Sequence, residues 1–167
     1  MAIGDGNGWV ECRYGHRHWG RHGAAGLLLL RRLETPEVLL QLRAGWTHEG
    51  GRWGLVGGAR DSHETIAQAA LREALEEAGV DPSAVRVLGE QVGADHVDWS
   101  YTYVIGVAVG DIRPRLMTPE SDELRWVDVT DVPDMPLHVG LATAWGALVP
   151  GITHLLADRV PDTDLAD

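Results

Sequence analysis

A continuous apolar run, Ala24 to Leu30, is bounded by Gly23 on one side and Arg31-Arg32 on the other. Without polar alternation, such a run predicts a strand buried on both faces. After a turn at Thr35-Pro36, Glu37 introduces Val38 to Arg43, a second strand in the alternating style. Ala44 to Arg52 reads as a glycine-containing loop, and Trp53 to Val56 as a short strand running into Gly57-Gly58. Further along, Val85 to Val92 and Tyr101 to Val109 are rich in β-branched and aromatic residues and predict two more strands. Leu137 to Leu148 predicts a helix with Leu137, Leu141, Ala144 and Leu148 on one face, and Ile152 to Ala157 extends or follows it.

The strongest helical signal lies between these strands, from Thr65 to Ala78. Ser62 is the expected N-cap, which puts Glu64 in the following turn, at the positive end of the helix dipole. Gly79 supplies a left-handed C-terminal residue, and Asp81-Pro82 prevents continuation. At about 100° per residue, Ala67, Ala70, Leu71, Ala74, Leu75 and Ala78 fall within an arc of roughly 140°, a core-facing stripe of mostly small residues. Strands lie mostly before and after this helix rather than in strict alternation with helices. That order predicts a mixed α/β sandwich of the α+β kind, not a doubly wound parallel sheet.

At 167 residues, 44% of them hydrophobic, the chain is long enough for one domain with a substantial core. The organisation expected is an irregular glycine-rich segment over residues 1–23, a domain over 24–157 and an acidic tail over 158–167. A net charge of −11 argues against a broad electrostatic hold on nucleic acid. It also means that an anionic substrate needs cations to mediate its binding. The single cysteine precludes an internal disulfide and suits a reducing cytoplasm, and no basic and apolar leader or membrane-length run is evident.

The candidate chemistry sits on the central helix. Glu73, Glu76 and Glu77, spaced i, i+3 and i+4, share an arc of roughly 100° beside the apolar stripe. Three like charges there repel one another, and a hard divalent cation turns the same oxygens into ligands. Arg72 can orient one carboxylate through a bidentate hydrogen bond. The alternative is a solvated acidic face, which the entry through Gly57-Gly58 makes the weaker reading.

The spacing from Gly58 to Val80 resembles the signature of the Nudix superfamily, Mg²⁺-dependent hydrolases that cut a diphosphate linked to another group. Gly58, Glu64, Arg72-Glu73, Glu76-Glu77 and Gly79 fill its fixed positions across about a seventh of the chain. The resemblance implies a Nudix-like α/β/α sandwich with a mixed sheet and a site holding Mg²⁺ (or Mn²⁺). It assigns Glu73, Glu76, Glu77 and the Gly58 carbonyl as metal ligands, with Arg72 orienting the carboxylates. Glu64, roughly half a turn from Glu73, is expected to anchor the loop or bind metal peripherally. The resemblance also implies that one further carboxylate, Glu123 first and Glu120 close behind, completes the metal site or positions the attacking water. Val56 stands where the family commonly has the proline of Pro-Gly-Gly, a departure outside the ligand set. The implied substrate is a small nucleoside diphosphate derivative, with Trp99, Tyr101 and Arg43 as candidate contacts, and a homodimer is the common assembly. Two alternatives stand beside this: a non-catalytic binding or regulatory domain of the same fold, and a different reaction at the same metal site.

One group lies outside this picture. Cys12, His16, His18 and His22 crowd around Trp19. They read as a zinc cluster lacking the usual paired spacing, as a lead-in loop anchored by Trp19, or as groups that reach an anionic substrate with Arg17 or Arg21.

Overall fold

The protein is described here by a computed structural model over residues 4–158. Of the predicted acidic tail, 158–167, residues 159–167 lie outside the described residues.

A short hairpin, β1 (Trp9–Glu11) with β2 (Arg17–Trp19), precedes a seven-stranded mixed sheet. The central strand β3 (Ala24–Arg31) pairs in parallel with β8 (Ser100–Ala108), from Ala24 opposite Tyr101 to Leu30 opposite Val107. Its other edge is divided between β6 (Val56–Ala59) and β4 (Glu37–Arg43), both antiparallel. β4 in turn pairs with β5 (Trp53–Gly54) and β9 (Ser121–Asp128), and β7 (Val85–Asp95) closes the far edge beside β8.

One helix covers each face, which is why β3 reads as an unbroken apolar run. Its odd-numbered residues Ala25, Leu27 and Leu29 pack with Leu39, Val56 and Val104 beneath α1 (Ile66–Ala78). Its even-numbered residues Leu28 and Leu30 pack with Val38, Leu40 and Ile105 beneath α2 (Val139–Ala157). The result is the expected α/β/α sandwich. By length and composition α2 could cross a membrane, but Leu141, Trp145, Leu148 and Ile152 lie buried on the sheet.

Several local expectations need correction. α1 is capped by Thr65, not Ser62: the Thr65 hydroxyl accepts from the Gln68 N–H and the Gln68 side chain accepts from the Thr65 N–H. Ser62 is held elsewhere, donating its N–H and hydroxyl to Asp5. Glu64 therefore precedes the helix, whose first turn holds no acidic residue. The buried stripe is Ala69, Ala70, Ala74 and Ala78, while Leu75 is 46% exposed. Only alanines fit where the helix lies this close to the sheet, and the longer Leu75 is left at the edge. Enlarging Ala74 to leucine is expected to cost about 1–3 kcal/mol through overpacking, seen as a lower urea midpoint with an unchanged slope. The end of α1 is as predicted, with Gly79 at φ 64°. The segment 1–23 is not irregular throughout, because it contains the β1–β2 hairpin, and α2 continues through Pro150 as a single helix.

Candidate active site

Arg72 organises the carboxylates. Its Nε and Nη2 donate to Glu64 at 2.5 and 3.0 Å, and its Nη1 donates to Glu73 at 2.8 Å and Glu76 at 3.3 Å. Nη2 also donates to the Ala59 carbonyl at 2.9 Å, which ties the end of β6 to the helix. Glu64 accepts a further N–H from Asp61 at 2.9 Å, which ties it to the loop that leads into α1. The Arg72 hydrogen bonds hold Glu64 below the usual carboxylate range.

Glu73 and Glu77 behave differently. The Glu73 carboxylate lies against the backbone of Gly58, where an added Cβ would sit 2.5–2.9 Å from it. Burial raises its pKa, only partly offset by Arg72. Glu77 accepts the Gly57 N–H at 3.1 Å. Burial, then repulsion from Glu73 and Glu120, pushes it up to about 8. Uncompensated negative charge in a half-buried oxygen-donor set fits a hard divalent cation, which Glu73, Glu76, Glu77 and Glu120 would hold. The box glutamates are not a converged cluster, since Arg72 draws Glu73 and Glu76 while Glu77 turns toward Gly57.

The structure separates the two candidates for the additional carboxylate. Alternation along β9 sends Leu124 and Trp126 toward α1 and Val127 toward α2. Glu123 and Arg125 therefore share the α2 face, where they form an ion pair and Arg125 lies over the Trp53 ring. A bulge at Leu42/Arg43 resets the register just before this, and Glu120, beyond it, places its charge beside Glu77. Glu120→Gln is expected to lower kcat/KM by about a hundredfold, whereas Glu123→Gln stays within about threefold, measured side by side on one substrate.

Arg43 and Tyr101 lie within electrostatic reach of Glu77. Arg43 donates Nε to the His48 carbonyl at 2.9 Å. The Tyr101 hydroxyl occupies space over Gly26 that any side chain there would fill, so Tyr101 is a packed wall more than an open stacking surface. Trp99 is elsewhere: it stacks on His18 at 4.0 Å between centroids and donates Nε1 to the Gly20 carbonyl. Two open grooves meet at His22, Gly23 and Ser100, and neither is lined by a box glutamate. The residue-by-residue reading missed Asp61, buried and accepting the N–H groups of Gly4 and Gly6 at 3.0 and 2.9 Å. Nothing in its local sequence distinguishes it from a surface aspartate.

The NUDIX domain family model matches residues 20–144. The chain belongs to the Nudix family. A Mycobacterium tuberculosis (strain H37Rv) protein named "Putative 8-oxo-dGTP diphosphatase 3" is 51% identical over 155 residues, which cover 89% of this chain and 71% of that protein. A Bifidobacterium longum "Nucleoside triphosphate pyrophosphatase/Nudix hydrolase fusion protein" is 40% identical across 84% of this chain and 30% of its own length. Among solved structures, the Mycobacterium smegmatis Nudix hydrolase RenU matches with a TM-score of 0.84 at 45% identity, over 89% of this chain and 96% of that one. The Nudix box thus coincides with the loop and helix that carry Glu64, Arg72, Glu73, Glu76 and Glu77.

Proposed function

We propose that this Nudix protein hydrolyses a phosphoanhydride bond in a nucleoside diphosphate derivative with Mg²⁺ (or Mn²⁺), acting on a free nucleotide in the cytoplasm. An oxidised purine nucleoside triphosphate is the first substrate to test, a choice supported by the name of the 51% identical mycobacterial relative. The observation that carries the reading is Glu77, half-buried near Glu73 and Glu120 with too little positive charge to balance it.

When bound, the divalent cation neutralises the diphosphate and lowers the pKa of water. The chain's own groups do the rest. Arg72 keeps Glu73 and Glu76 oriented while remaining tied to Glu64 and the Ala59 carbonyl. Glu120, exposed at the rim near Glu77, is the carboxylate we assign to accept the proton of the attacking water. Arg43 offers the nearby cationic group to a substrate oxygen.

A phosphate- and pyrophosphate-release screen tests this across 8-oxo-dGTP, ordinary nucleotides, ADP-ribose, dinucleotides and nucleotide sugars, with Glu77→Gln as control. Metal-dependent turnover, lowered in the control by about 10³-fold, is expected. A folded, metal-binding protein without turnover on any of these would overturn the hydrolase reading in favour of a binding domain.

A further inference from the structure

We propose a second metal site, a structural zinc centre formed by Cys12, His16 and His18 of the β1–β2 hairpin with His96 of the β7–β8 turn. One ligand atom from each of the four lies within 4.8 Å of the others. Three ligands come from a single hairpin, whereas the fourth arrives from 78 residues further along the chain, counting His18 to His96.

The separations are those a tetrahedral ion imposes. With Zn–N near 2.0–2.1 Å and Zn–S near 2.3 Å, tetrahedral ligands stand about 3.3 Å apart for N and N and about 3.6 Å for S and N. His16 Nδ1 and His96 Nδ1 are 3.3 Å apart, and Cys12 Sγ is 3.5 Å from His96 Nδ1. Hydrogen bonding alone accounts for the cluster poorly. Both contacts converge on one ring nitrogen, which carries either one proton or one in-plane lone pair and cannot serve two partners fully. Meanwhile His18 Nε2 is buried without any partner. Such an orphaned nitrogen costs free energy unless something accepts its lone pair.

The surroundings support a built site, open only on the His16 side. Cys12 is 4% exposed. Its N–H donates to the His16 carbonyl and its carbonyl accepts from Gly15, which folds the ligand-bearing turn back on itself. Trp99 stacks on the His18 ring, and Asp98 accepts the Arg13 N–H, so the two ligand-bearing segments already meet. A hairpin of three-residue strands is marginal by itself, and an ion bridging it to β7–β8 holds it in place. The same segment delivers the Gly4 and Gly6 N–H groups to Asp61, at the mouth of the box loop.

The test uses the untagged full-length chain, purified under reducing conditions and dialysed into Mg²⁺ buffer without chelator. Elemental analysis is expected to find about one zinc per chain, falling below about a fifth in Cys12→Ser and in His96→Ala, and retained in Glu77→Gln. Cobalt substitution of the wild-type chain, which requires no variant, is expected to give strong tetrahedral visible bands and a near-ultraviolet thiolate-to-cobalt band that Cys12→Ser lacks. Wild-type chain without zinc and with only a weak octahedral cobalt spectrum would overturn the proposal. Full zinc content in both the Cys12 and His96 variants would also overturn it.

Discussion

Arg72→Ala is expected to lower kcat/KM by about 10²–10³-fold and to destabilise the fold by roughly 2–4 kcal/mol. The guanidinium supplies five hydrogen bonds, to Glu64 twice, to Glu73, to Glu76 and to the Ala59 carbonyl. Removing it leaves Glu64 and Glu73, 8% and 13% exposed, as carboxylates without a counter-charge. Breaking a buried pair by deleting one partner costs about 3–5 kcal/mol, and the 28% exposure of Arg72 reduces that. Arg72→Lys is expected to recover only part of the loss, because a point-like ammonium cannot reproduce a planar fork that spans three carboxylates. The pH dependence follows from Glu64, whose folded pKa lies below its ordinary value. A depressed folded pKa contributes stability above the unfolded pKa, near 4.5, that is lost as pH falls through the folded value. The gap in stability between wild type and Arg72→Ala should therefore narrow below about pH 4.5, measured by urea unfolding across pH. A variant that keeps both its activity and its urea midpoint would remove Arg72 from the centre of the site.

These residues were legible because the information is local. Glu64, Arg72, Glu73, Glu76 and Glu77 sit in one loop and one helix, so spacing alone nearly fixes their mutual placement. The sheet was legible for a similar reason, since a run such as Ala24 to Leu30, without alternation, requires cover on both faces. What escaped depends on contacts distant in sequence. Whether Glu120 or Glu123 meets the helix depends on which face of β9 lies beneath α1 and on a bulge opposite Leu42/Arg43. Neither feature leaves a mark in the residues around them. Leu75 fell outside the contact because the depth of α1 on the sheet admits only alanine, which hydrophobicity does not encode. The hairpin at Trp9 to Trp19 has weak strand signals and is held by partners such as His96, Asp98 and Trp99 from elsewhere in the chain. Ligand spacing within the first residues carries no trace of His96, which is distant in sequence, and His22 lies outside the cluster.

Glu77→Gln carries the other large effect, and it pulls activity and stability in opposite directions. Turnover is expected to fall by about 10³-fold, because a neutral amide cannot serve as an anionic ligand. The metal-free protein should become more stable at alkaline pH. Glu77 has a folded pKa raised to about 8 from an ordinary 4.5. A carboxylate shifted upward costs nothing below its unfolded pKa, where it is protonated in both states. The cost grows as pH rises from about 4.5 to about 8 and is constant above that. At roughly 1.4 kcal/mol per unit, about 5 kcal/mol is the upper limit, with relaxation and water entry reducing it. Glutamine keeps an oxygen for the Gly57 N–H without the charge, so little else changes. In EDTA, Tm of the variant should exceed that of wild type by several degrees at pH 9, and the two should converge below pH 5. Saturating Mg²⁺ should shrink the alkaline difference, since the cation offsets the charge only in wild type. Equal Tm values in EDTA across the whole range would mean that Glu77 ionises without strain. A metal-free fold held below its maximal stability at alkaline pH by a charge that a bound cation would relieve is the signature of a residue kept for binding rather than for packing.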